Sequence, residues 1–120
     1  MRFTLLMSYS EAGGAALTPE QMAAGQVEFD RYGKALDDAG VLVAAEVLTP
    51  VAAGVTIRGG EIASTTDDSA EQLSGAFIIN VPDQSAAVDW AKRCPAAEWG
   101  TMVVRASAVS FIDGKWQQLS

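Results

Sequence analysis

Apolar residues crowd Arg2–Tyr9 (R-F-T-L-L-M-S-Y) almost without a break, the pattern of an interior strand. Ser10–Leu17 is small and Gly-rich and reads as a loop. Thr18-Pro19-Glu20-Gln21 then carries three agreeing helix-start signals. Thr18 can cap, Pro19 loses no needed N–H at the first helical position, and Gln21 completes a capping box. The helix is predicted to run to about Ala39 and to stop at Gly40, which is free to take a left-handed conformation. Met22, Phe29, Leu36 and Ala39, with Val27 and Tyr32 beside them, trace one stripe, while Glu28, Asp30, Arg31, Lys34 and Asp37 lie mostly opposite. A helix so patterned covers something. Gly25 and Gly33 inside it either admit a neighbouring backbone or are simply tolerated, at up to ~1 kcal/mol each.

What it covers is predicted to be a sheet. Val41–Leu48 is a small apolar run closed by Thr49-Pro50. Val55–Arg58 and Glu61–Thr65 flank Gly59-Gly60, a pair suited to a tight hairpin turn. Gly75–Val81 (G-A-F-I-I-N-V) is rich in β-branched and aromatic residues, as buried strands are. Asp83–Cys94 reads as a second helix, capped by Asp83 and ended by Pro95. Gly100–Ser107 is the last main strand, and Val109–Ile112 with Lys115–Leu119 around Asp113-Gly114 suggests a C-terminal hairpin. The order strand, helix, strand, hairpin, strand, helix, strand is an α+β, ferredoxin-like split β-α-β arrangement with an inserted hairpin. No repeat or linker interrupts it. Residues 1–120 are therefore expected to form a single domain, with a core over 1–107 and an extension over 108–120.

Charge and composition narrow the chemistry. Eight Lys and Arg against fifteen Asp and Glu leave a net charge of −7, so phosphate backbones are repelled and a nucleic-acid partner is not expected. The chain has no histidine, which excludes His-based triads, imidazole acid–base catalysis and His-ligated zinc. One cysteine, Cys94, cannot close an intramolecular disulfide. No apolar run approaches the roughly 20 residues that cross a bilayer, and no signal-peptide pattern opens the chain. A cytoplasmic protein without membrane contact is expected. The glycine pairs at 13–14 and 59–60 match no phosphate-binding fingerprint, and no cofactor or metal is indicated.

Several stretches together resemble the YCII-related superfamily and, within it, the branch called the DGPF domain. They are F-T-L-L-M-S-Y (3–9), L-T-P-E-Q-M (17–22), A-G-V-L-V-A-A-E-V-L-T-P (39–50), E-Q-L-S-G-A-F-I-I-N-V-P-D-Q-S-A-A-V-D-W-A-K-R-C-P-A-A (71–97) and G-T-M-V-V-R (100–105). The resemblance implies a ferredoxin-like domain that dimerises through its sheets into an α+β barrel with a cleft between sheet and helices. It also implies either a cofactor-free lyase or isomerase acting on a small organic molecule, or a non-catalytic small-molecule-binding or regulatory dimer, an accessory to a sigma-factor system among the possibilities. A degenerate structural role is a third reading. Two departures matter. The Asp-Gly-Pro-Phe segment is absent, replaced by the shorter stretch from Ser64 to Ala70. By spacing back from Gly40, the position of the superfamily's proposed dyad histidine falls near Phe29, whose hydrocarbon ring cannot shuttle a proton.

Within this frame the candidate catalytic residues are Glu46 and Asp68. Glu46 interrupts an apolar strand. It either faces solvent, pairs with Arg58 or Arg105, or enters the cleft, where desolvation would raise its pKa toward the range of a general base. Asp68 belongs to the acidic cluster Asp67, Asp68 and Glu71, which reads either as a source of a base or as a solvated loop in which Asp68 caps a turn. Tyr9, Tyr32, Arg58 and Phe29 are the candidate ligand-binding residues. The hydroxyls of Tyr9 and Tyr32 either hydrogen-bond a ligand or belong to core tyrosines whose hydroxyls reach the surface, and the forks of Arg58 and Arg105 either hold an anion or stand on a strand's outer face. Trp90 and Trp99 read as packing residues, with Trp99 at a subunit boundary as an alternative. Cys94, at a helix C-terminus, reads as an inert thiol.

Overall fold

The computed structural model describes residues 1–118. Its elements are β1 (Arg2–Tyr9), α1 (Glu11–Ala15), α2 (Pro19–Asp38), β2 (Leu42–Val47), β3 (Thr56–Arg58), β4 (Glu61–Ala63), β5 (Gln72–Asn80), α3 (Gln84–Arg93), α4 (Ala96–Trp99), β6 (Thr101–Ala106), β7 (Ser110–Ile112) and β8 (Lys115–Gln117). A turn of 3₁₀ helix covers Val51–Ala53. Four strands form one antiparallel sheet in the order β2-β5-β1-β6, and the β3–β4 and β7–β8 pairs stand apart as two-stranded ribbons. This is the ferredoxin-like α+β order, with the hairpin inserted after the second main strand.

The local signals act as their chemistry dictates. The Thr18 hydroxyl accepts from the Gln21 N–H while the Gln21 side chain accepts from the Thr18 N–H, closing the capping box. The Asp83 carboxylate accepts from the Ala86 N–H at the start of α3. Gly59 and Gly60 have φ of 58° and 82°, and Asp113 and Gly114 have 55° and 80°. Positive φ at both central residues is the requirement of the type I′ turn that suits a two-residue hairpin.

Alternation along the sheet decides its two faces. Paired positions share a face, so Phe3, Leu5 and Met7 of β1 stand with Ile79, Phe77 and Gly75 of β5 and with Val104 and Met102 of β6. This face meets Tyr32 and Leu36 of α2 and Ala87 and Ala91 of α3, and the group is buried except for Met102 and Val104, which are half-buried at its β6 edge. The opposite face carries Thr4, Leu6, Ser8, Ala76, Ile78, Val103 and Arg105 and has no helix over it. Gly75 is required where it stands: a Cβ there would meet the Glu46 carbonyl oxygen at 2.6 Å and the Met7 Cε at 2.9 Å. A hydrogen atom is all that fits.

Several expectations are corrected. The loop over 10–17 contains the short helix α1, begun by the Ser10 hydroxyl accepting from the Gly13 N–H. On α2, Met22 and Val27 are exposed and the buried stripe reduces to Tyr32 and Leu36, with Phe29 packed against them. The reason is that α2 reaches the core through its C-terminal half, and residues 19–24 at its start are exposed throughout. Cβ atoms on Gly25 or Gly33 would meet nothing within 4 Å, so neither glycine admits a neighbouring backbone. The main strand β5 begins at Gln72 rather than Gly75, and β4 ends at Ala63. Pro95 ends α3 as expected, but the chain turns straight into α4. The last expected strand runs through Gln117; the part of that expectation at Leu119 lies outside the described residues.

Candidate functional site

The space between α2 and the sheet is filled by side chains. The Tyr32 ring meets Phe77 edge-on at a centroid distance of 5.2 Å, Phe29 meets Trp99 at 6.2 Å, and Tyr9 meets Trp99 at 5.3 Å. Tyr9 and Phe29 are thus members of one aromatic cluster closed by Trp99, which also has an exposed edge.

Tyr32 has its hydroxyl committed. It donates to the Trp90 carbonyl at 2.8 Å, one of the carbonyls that the end of α3 leaves without a helical partner. Burial pushes the phenol well above the ordinary tyrosine range; the nearby Cys94 thiol acts in the same direction and Arg93 opposes it. The hydroxyl is therefore a neutral donor that caps a helix. Burial likewise raises the Cys94 thiol, offset in part by a hydrogen bond from the Ala96 backbone. Arg93 lies over the Trp90 ring with its guanidinium carbon 4.2 Å from the centroid. A shallow recess of about 290 Å³ opens at this corner between Arg31 of α2 and Lys92, Arg93 and Cys94 of α3, with Glu28 and Glu98 on its rim.

Glu46 stands on the other side of the sheet. It pairs with Ala76, which shares the helix-free face, and it is exposed. Its neighbours in register across the sheet are Ala76, Leu6 and Val103. It forms no ion pair with Arg58 or Arg105; among the described residues the ion pair is Lys34–Asp30 at 2.8 Å on the outside of α2. Arg58 closes the β3–β4 hairpin opposite Glu61, remote from Tyr9, Phe29 and Tyr32.

Asp68 lies in the second recess, of about 410 Å³, at the end of the sheet where β1 finishes and β5 begins. Ser10, Glu11 and Ala12 form one wall and Asp67, Asp68, Ser69 and Ala70 the other, with Gln72 between them. The buried Gln72 side chain ties the walls together. Its Oε1 accepts from the Glu11 N–H at 2.9 Å and its Nε2 donates to the Ser69 carbonyl at 2.6 Å. The Glu11 carboxylate in turn accepts from the Val51 N–H at 2.9 Å. The turn in this loop is capped by Asp67, not Asp68. The Ser69 hydroxyl and N–H hold the Asp67 carboxyl below the usual carboxylate range. Glu71 accepts from the Thr101 hydroxyl at 2.6 Å and so joins β5 to β6 at the same end. Among the described residues no group of three His, Cys, Asp or Glu side chains is placed to hold a metal ion.

The structure thus brings Tyr9, Phe29 and Tyr32 into one packed layer but leaves Glu46, Asp68 and Arg58 in three separate places. Sequence reasoning missed Glu11 and Gln72. A polar residue ahead of the apolar run A-F-I-I gives no sign that it will be buried, and Glu11 was hidden in a glycine-rich stretch read as coil. Among curated proteins, none matches this chain. The model of the YCII-related domain matches residues 1–108, which takes in both long helices, the four-stranded sheet and the β3–β4 hairpin but stops short of β7 and β8. On that match the chain belongs to the YCII-related family.

Proposed function

We propose that the protein is a homodimer that binds a small organic molecule in the recess between Glu11 and Asp68. The recess carries this reading. Its volume of about 410 Å³ falls in the range of small-molecule sites. Its walls are tied by a buried glutamine, and its rim presents the carboxylates of Glu11, Asp67 and Asp68, none in an ion pair among the described residues. A ligand offering amine or hydroxyl donors suits such a rim. The dimer reading rests on the bare sheet face, where Leu6, Ala76, Ile78 and Val103 form an apolar centre that a second sheet would cover.

A second reading is a cofactor-independent lyase or isomerase that moves a proton beside a carbonyl. One observation favours it: Glu46 stands on that same apolar face, so a second copy laid over it would enclose the carboxylate between the two sheets, where a general base could meet a substrate away from water. Melting temperature followed against a panel of small amines, hydroxy acids and lactones separates the two. Binding at the recess predicts a rise with amine- or hydroxyl-bearing compounds that disappears in Asp68→Asn. Turnover of a lactone that disappears in Glu46→Gln, with binding retained, would replace it with the enzymatic reading. No rise with any such compound, or a rise that survives Asp68→Asn, overturns the recess as the site.

A further inference from the structure

Basic residues are scarce in this chain, yet three of the eight meet at one corner. Arg31 comes from the middle of α2, and Lys92 with Arg93 from the last turn of α3. Together they line the recess of about 290 Å³ beside Tyr32. Among the described residues none of the three is in an ion pair, although Glu28 and Glu98 stand on the same rim. Lys34 has Asp30 one turn before it and takes it as a partner, whereas Arg31 has Val27 and Ala35 at the corresponding positions. Lys92 and Arg93 offset the dipole at the end of α3, but Arg31 lies mid-helix and has no such role. Arg93 is also held in place. Its guanidinium carbon lies 4.2 Å from the Trp90 centroid, and the Tyr32 hydroxyl ties the Trp90 backbone to α2. A guanidinium stacked on a ring keeps its N–H donors in its own plane, free to grip the oxygens of an anion. An arginine so anchored loses less side-chain freedom on binding than a mobile one.

We propose that this recess binds a small, doubly charged oxyanion, a phosphate group or a dicarboxylate, between Arg31 on one side and Lys92 and Arg93 on the other. Charge and size set the class. A lone carboxylate has two oxygens to share among the three cations, whereas a phosphate group or a dicarboxylate has more oxygens and a second charge. A recess of about 290 Å³ stands at the foot of the range of small-molecule sites, so the ligand has few atoms. The chain is −7 overall, so a large polyanion meets repulsion beyond this corner, and Glu28 and Glu98 oppose any anion wide enough to reach the rim. A small anion meets chiefly the cations. The site shares no residue with the acidic recess between Glu11 and Asp68 and is of opposite character.

The test is calorimetric titration of the full chain at pH 8 and constant ionic strength, with inorganic phosphate and, separately, with malonate. Heat is the readout because phosphate stabilises folded chains in general by exclusion from their surface, which would confuse a melting curve. Saturable binding of at least one of the two anions is expected. Phosphate alone binding names a phosphate-bearing ligand, and malonate alone a dicarboxylate. Arg31→Gln and Lys92→Gln change exposed residues and are expected to keep the far-ultraviolet circular dichroism. Each is expected to weaken the affinity by about tenfold or more, as loss of a charge-assisted hydrogen bond does. Lys115→Gln removes the same charge from the β7–β8 hairpin, and Asp68→Asn alters the acidic recess; both are expected to hold the affinity within about twofold at this ionic strength. No saturable heat with either anion, or a loss in Lys115→Gln as large as in Arg31→Gln, overturns the site. Neither result touches the reading of the recess at Asp68, which rests on its own titration.

Discussion

Replacing Tyr32 by phenylalanine removes one oxygen atom and distinguishes a capping tyrosine from a ligand-binding one. The ring keeps its contacts with Phe77 and Trp90, so no hydrocarbon burial is lost. What is lost is the 2.8 Å hydrogen bond to the Trp90 carbonyl, which is then left at the end of α3 without a protein donor. A partly buried carbonyl deprived of its partner costs roughly 1–2 kcal/mol. For a domain of this size that lowers the melting temperature by about 3–10 °C. Urea denaturation at pH 7 is the assay, with the midpoint falling and the slope unchanged. Alkaline pH supplies a second readout. The native state holds the Tyr32 proton more tightly than the unfolded chain does, so its contribution is fully present below the ordinary tyrosine pKa of about 10. As pH rises from there toward the raised native value, the unfolded chain releases a proton that the native state keeps. Stability then falls by about 1.4 kcal/mol per pH unit from this group. The variant lacks that slope, so its deficit relative to the native protein narrows above pH 10. An unchanged midpoint at pH 7, or a deficit that widens with pH, refutes the capping role.

Two further outcomes follow from the same packing. Gly75→Ala forces a methyl group against the Glu46 carbonyl and is expected to cost about 1–3 kcal/mol, whereas Gly33→Ala, with open space at its Cβ, is expected to stabilise by up to ~1 kcal/mol; paired urea titrations check both. Cys94 is buried with its thiol raised, so a thiol reagent at pH 8 is expected to label the native protein many times more slowly than the urea-unfolded chain.

The main elements were legible because local chemistry and tertiary packing agree in them. Thr18, Pro19 and Gln21 start α2, Gly40 follows its end with φ of 71°, and the glycine and Asp-Gly turns make their hairpins. The site was less legible, for reasons that are geometric. Glu46 occupies an edge strand, and a shift of register between Leu42 and Ala44 helps to decide which face it meets; nothing in A-A-E-V-L records that shift. Met22 and Val27 are apolar at helical spacing, yet both stand exposed in the half of α2 that precedes its buried residues Tyr32 and Leu36. Tyr32 was identified as near the interior, but the group that takes its hydroxyl is a backbone carbonyl 58 positions away in sequence, which no side-chain pattern announces.

Sedimentation equilibrium of the full chain at micromolar concentration bears most directly on the proposal that a second copy covers the bare sheet face. The proposal predicts a particle of twice 12.6 kDa. A single-copy mass at every concentration up to the millimolar range would contradict it.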